Sequence, residues 1–147
     1  MTNYQEIINS YTNKLTEKLQ KQLDLQLLVR LNEKLLEEQN ENIELLLKET
    51  VDFLKIASSG DKAGRKAYKK QFNKLKKAVR TEYGYIPKGT LVGEYMALGI
   101  AIGIGFGSAF IAINPALMII GLPIGVALGL SIGQNKEKEA DSENKLY

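Results

Sequence analysis

The chain has no cysteine, no histidine and no tryptophan in its 147 residues. Without Cys there is no disulfide framework and no thiol nucleophile, and without Cys or His no zinc site of the usual ligands. The lack of His also removes imidazole acid–base relays and His-activated nucleophiles. Proline and glycine are both missing from residues 3–56, and between Met96 and Gly133 no side chain is ionisable. The first absence leaves a long stretch free to be helical. The second leaves a long stretch with no polar reason to meet water.

Charge is segregated along the chain. Residues 1–60 carry 7 basic and 10 acidic side chains, residues 61–90 carry 10 basic against only Asp61 and Glu82, and residues 91–133 hold the single charge of Glu94. The net +3 of the whole chain hides this order. A basic block directly before an uncharged one is the arrangement expected on the cytoplasmic side of a membrane span. The first twenty residues have no apolar h-region, so no secretory signal is expected.

Within the uncharged block, Asn114-Pro115 is a turn signal, since Asn suits a helix end and Pro the first turn of the next. It divides the block into Tyr95–Ile113 and Ala116–Ile132, helices of roughly 28 and 26 Å, close to the roughly 30 Å hydrocarbon core. A soluble helix of this length would show a polar face, and neither half has one. The expectation is a transmembrane helical hairpin with two spans in the cell (inner) membrane, both termini cytoplasmic, and lipid as its main partner.

Glycine recurs every fourth residue, at Gly99, Gly103 and Gly107 in the first half and at Gly121, Gly125, Gly129 and Gly133 in the second. Glycine inside a helix is unfavourable, so seven at this spacing need a packing reason. In an antiparallel hairpin Gly107 would face Gly121, Gly103 would face Gly125, and Gly99 would face Gly129, bringing the backbones close. A second small row, Ala97, Ala101, Gly105 and Ala109, lies on the opposite face of the first helix. It suits association of one hairpin with another, hence a homo-oligomer. Residues 91–133, with GIAIGIGFGSA and GLPIGVALGLSIG, resemble the glycine-zipper hairpins of small bacterial membrane proteins. That resemblance implies a self-associating membrane hairpin and no common reaction. Gly103-Gly105-Gly107 is also similar to the rotor-ring hairpin of ATP synthase. That family needs a carboxylate midway along its second helix, and Leu117 to Leu130 has none.

Residues 3–56 read as helix, with Leu15, Leu19, Leu23, Leu27, Leu31 and Leu35 recurring every four residues. The cluster Leu23, Leu25, Leu27, Leu28, Val29 and Leu31 is apolar nearly all round and needs more than one neighbouring helix to cover it. Residues 1–85 alone are therefore expected to associate, and residues 1–57 to offer a surface to a protein partner. Gln39-Asn40-Glu41-Asn42 marks a bend. After the loop at Ser58–Gly64, Arg65–Arg80 is a basic amphipathic helix with Tyr68, Phe72, Leu75 and Val79 on one face. It fits a third bundle helix, or an interfacial helix with Lys66, Lys69, Lys70, Lys74, Lys77 and Arg80 on anionic lipid. No nucleic-acid motif accompanies the charge, so nucleic acid is not expected as a partner.

Gly60-Asp61-Lys62-Ala63-Gly64-Arg65-Lys66 looks superficially like a phosphate loop, but it lacks the Gly-Lys-Ser/Thr ending and a preceding strand. No catalytic residue, cofactor or metal is expected. The expected fold is all-α: a cytosolic helical bundle or coiled coil followed by a two-helix transmembrane hairpin. Its parts are a long helical segment (1–57), a loop and basic juxtamembrane helix (58–90), the hairpin (91–133) and a charged, disordered tail (134–147). The function expected is protein–protein assembly at a membrane, as a membrane-perturbing effector or else as a passive anchor, adaptor or immunity-type protein.

Overall fold

The computed structural model describes residues 4–109 and 116–147; the Asn114-Pro115 turn lies outside them. Among the described residues the regular structure is helical, apart from one isolated parallel bridge between Ile86 and Leu146. They form two compact units, Met1–Tyr85 with Tyr147, and Ile86–Leu146.

The first unit is a folded-back bundle of α1 (Gln5–Lys14), α2 (Glu17–Gln22), α3 (Leu25–Leu35), α4 (Glu41–Ser58) and α5 (Lys62–Tyr83). The helix expected over 3–56 is thus interrupted three times, and local chemistry accounts for each break. Leu15 and Thr16 are extended, and the Gln20 side-chain amide donates to the carbonyls of Thr12 at 2.7 Å and Leu15 at 2.9 Å, capping the end of α1. Asp24 takes the left-handed conformation at φ 50°, which Asp tolerates better than most residues. Asn40 caps α4, its side-chain oxygen accepting from the amides of Asn42 and Ile43 at 3.0 and 3.2 Å.

These breaks let one chain cover its own apolar surface. Leu23, Leu25, Leu28, Leu31 and Leu35 are at most 1% exposed, in one core with Leu47, Leu54, Tyr68, Phe72 and Leu75. The association expected of residues 1–85 is therefore not needed to bury Leu23–Leu31. Leu27 and Val29 remain half-buried. Two buried polar groups stitch the bundle. Asn32 on α3 accepts from the Tyr4 amide at 3.4 Å and donates to Gln5 at 3.0 Å, docking the start of α1. The Tyr68 hydroxyl on α5 donates at 2.9 Å to the Leu23 carbonyl beside the Asp24 break.

The expected boundary at 57/58 falls inside this unit. The Asp61 carboxylate caps α5, accepting from Ala63 and Gly64 at 3.2 and 2.9 Å. Gly64 lets α5 pass close to α4, since a Cβ there would stand 2.9 Å from Ile56 Cγ2 and 3.1 Å from the Ile56 carbonyl oxygen. The phosphate-loop lookalike is a capped helix start. Gly84, in the left-handed conformation at φ 71°, ends α5 and returns its amide to the Arg80 carbonyl at 3.0 Å.

The second unit pairs α6 (Thr90–Ala109) with α7 (Ala116–Ser142). The disordered tail expected over 134–147 is replaced by helix: α7 runs on to Ser142 and Ala140 is buried. Beyond it the Ile86 amide donates to the Lys145 carbonyl at 2.9 Å. Two salt bridges, Lys136–Glu139 at 2.7 Å and Lys145–Glu143 at 2.6 Å, lie on this charged end.

Candidate functional site

Gly99, Gly103 and Gly107 are the buried residues of α6, and Gly125, Gly129 and Gly133 are buried on α7, with Gly121 partly so. A Cβ on Gly103 would lie 2.5 Å from the Gly121 carbonyl oxygen and 3.2 Å from the Gly125 Cα. On Gly125 it would lie 2.9 Å from the Gly103 Cα, and on Gly121 2.6 Å from the Gly103 carbonyl oxygen. Gly99 meets the Gly125 carbonyl and, at 2.9 Å from the added Cβ, the Gly129 Cα. Gly121 likewise approaches Gly107, with its added Cβ 3.2 Å from the Gly107 Cα. All three expected facing pairs are present. Every obstacle at these positions is backbone, so relief needs the helices to separate. Reciprocal approach of Cα and carbonyl oxygen is the geometry of Cα–H···O contacts between closely packed helices.

The interface is longer than the glycine row of α6. Gly129 packs against the Tyr95 carbonyl and Met96, and Gly133 against Leu91 and Val92, the latter's Cα 2.8 Å from an added Cβ. These α6 residues were missed because they are not small. The signal was the four-residue step continued upstream from Gly99 through Tyr95 to Leu91. At the same end Glu137 on α7 reaches the start of α6, its carboxylate accepting from the amides of Gly89 at 2.7 Å and Val92 at 3.5 Å. An anion there meets the positive end of the helix and two otherwise orphan donors.

With glycine inside, the bulky apolar side chains point out. Phe106 is 67% exposed and Ile119 76%, and Leu98, Ile102, Ile104, Ile124 and Leu128 are exposed with them. Ala97, Ala101, Gly105 and Ala109 also lie exposed, and nothing stands within 4 Å of a Cβ built on Gly105. Among the described residues one helix, α6, is long and apolar enough to cross a membrane. The Ser108 hydroxyl donates at 2.8 Å to the Gly105 carbonyl of its own helix.

The other expected contact residues sit on α5. Lys66, Lys69, Lys70, Lys74, Lys77 and Arg80 are all exposed, while Tyr68, Phe72, Leu75 and Val79 fill the bundle core. The apolar face of α5 is therefore unavailable for insertion among lipid headgroups, and only its charge faces out. Lys76, on the flank, places its ammonium 4.8 Å from the Phe72 ring centre.

No group of three or more acidic, His or Cys side chains able to hold a metal occurs among the described residues. Comparison with protein-family models, with curated proteins and with solved structures finds no match for this chain.

Proposed function

We propose that this chain is a non-enzymatic membrane protein whose α6–α7 hairpin spans the cell membrane twice with both termini in the cytoplasm. The hairpin oligomerises through its second small face, and helices of residues 1–57 bind a protein partner. One observation carries this reading: the helix pair is apolar outside and glycine inside. In water the bulky residues would face each other and the small ones would be spared. A pair closed through backbone with Leu, Ile and Phe turned outward is stable where the surroundings are themselves apolar. The length of α6, about 30 Å for twenty residues, matches the hydrocarbon thickness.

Ala101→Cys tests the oligomer in native membranes, because the chain has no other thiol. Oxidative cross-linking should give dimers through Ala101→Cys and far fewer through Phe106→Cys on another face. Equal or absent cross-linking at both would remove the second small face as an assembly surface.

A second reading, a passive anchor or immunity-type protein, draws support from the scarcity of polar lining. The Ser108 hydroxyl is turned to its own backbone, and Tyr95 and Ser131 carry the other hydroxyls among the described residues of the two apolar stretches. Dye release from liposomes separates the readings: release favours a membrane-perturbing effector, and tight vesicles carrying fully inserted protein favour an anchor.

A further inference from the structure

We propose that the outer arc of α5 holds the bundle against an anionic bilayer leaflet by charge alone, without insertion. The proposal rests on the hairpin reading and gives that membrane a chemistry. At 100° per residue Lys66, Lys69, Lys70, Lys74, Lys77 and Arg80 fall within an arc of about 140°, centred opposite the buried Tyr68–Val79 face. From Lys62 to Thr81 the helix has no Asp or Glu. Among the described residues Lys66, Lys69, Lys70, Lys74 and Lys77 enter no ion pair.

The arc is a convex ridge of nearly all lysine, and lysine is a mobile point charge suited to a field of headgroups rather than to one bidentate ligand. A nucleic acid would call for aromatic platforms or arginine forks; Tyr68 and Phe72 of α5 are in the core, Tyr83 is partly buried against it, and the arc holds one Arg. Residues 1–60 are net acidic, so the unit is polarised and an anionic surface would turn the α5 ridge toward itself. The six residues between Tyr83 and Thr90 span at most about 21 Å, so a membrane-inserted α6 keeps the end of α5 at high effective concentration near the leaflet.

The test uses full-length protein with Asn73→Cys, an exposed position within the arc, as the only thiol. Asn9→Cys on α1, which packs on α3 and α4, is the control. The readout is the rate of modification by an uncharged maleimide in phosphatidylcholine vesicles with and without about 30 mol% phosphatidylglycerol. Phosphatidylglycerol should slow Asn73→Cys about fivefold or more, about 0.5 M NaCl should restore the rate, and Asn9→Cys should not respond. Adding Lys66→Glu, Lys70→Glu, Lys74→Glu and Lys77→Glu should abolish the slowing. Equal rates in both vesicles overturn the proposal. Slowing that survives high salt overturns it in favour of insertion. Slowing by duplex DNA on zwitterionic vesicles, without a lipid effect, overturns it in favour of nucleic acid. Flotation of the same samples separates it from the hairpin reading. Protein that floats only with anionic vesicles, and leaves them in salt, keeps the ridge and refutes the spans; protein that floats with neither refutes both.

Discussion

At the residue scale, each glycine inside a helix costs about 0.5–1 kcal/mol relative to alanine, so the seven in the two rows together forgo about 4–7 kcal/mol of helix propensity. Close backbone contact between α6 and α7 is what offsets it. Leucine at Gly103 or at Gly125 should each force the helices apart. The double variant should be little worse than either single one, because the shared contact is already lost. Cross-linking between cysteines placed at Leu98 and Leu128 would report closure. Additive losses would mean that the two glycines do not share a contact. Tyr68 is a second test. Burial, and secondarily the charge of Asp24, pushes its hydroxyl well above the ordinary tyrosine range, so it stays a donor at physiological pH. Tyr68→Phe leaves the Leu23 carbonyl unpaired in the core and should cost about 1–3 kcal/mol in denaturant unfolding. Loss of less than half a kcal/mol would show that water replaces the hydroxyl.

At the scale of elements, what could be read in advance and what could not divide along a physical line. The buried face of α5 and the pairing of α6 with α7 follow from periodicity, because each was set by one repeating spacing on one helix. The break at Asn40 was foreshadowed by its polar neighbours. The breaks at Leu15-Thr16 and Asp24 were not, because leucine repeats straight through them and the deciding contacts, from Gln20 and Tyr68, are made only in the folded chain. The helical course of residues 134–142 was hidden by their charge, and its partner contact, Glu137 to the start of α6, spans more than forty residues. One expectation changes in consequence. Residues 1–85 should be a helical monomer in sedimentation, not an associating segment; a stable dimer would mean that Leu27, Leu45 and Ile56 on its surface bind a second copy. Leu31→Ala, fully buried, should cost about 2–5 kcal/mol, and the half-buried Leu27→Ala clearly less. The Asp61 cap adds a pH dependence. Hydrogen bonds from the Gly64 and Ala63 amides lower its pKa, so its contribution is complete above the ordinary carboxylate range and fades as pH falls through the lowered value. Protection of the Ala63 and Gly64 amides from exchange, relative to the intrinsic rate at each pH, should fall there ahead of the α5 interior.

At the scale of the whole molecule, two units with opposite surfaces are joined in one chain. The first hides leucine and shows charge; the second hides glycine and shows leucine, isoleucine and phenylalanine. The basic excess of residues 61–90, net +8, precedes the apolar pair and no charge interrupts it after Glu94, which sets the expectation that both ends stay on one side. The most direct measurement is labelling of single cysteines in intact membranes with a membrane-impermeant maleimide, at Lys88, Ile104, Ile124 and Asn135. Lys88→Cys and Asn135→Cys should react from the cytoplasmic side alone, and Ile104→Cys and Ile124→Cys only after detergent. Rapid labelling of Ile104→Cys and Ile124→Cys in intact membranes, although both positions are exposed on the protein, would contradict the hairpin by placing that apolar surface in water.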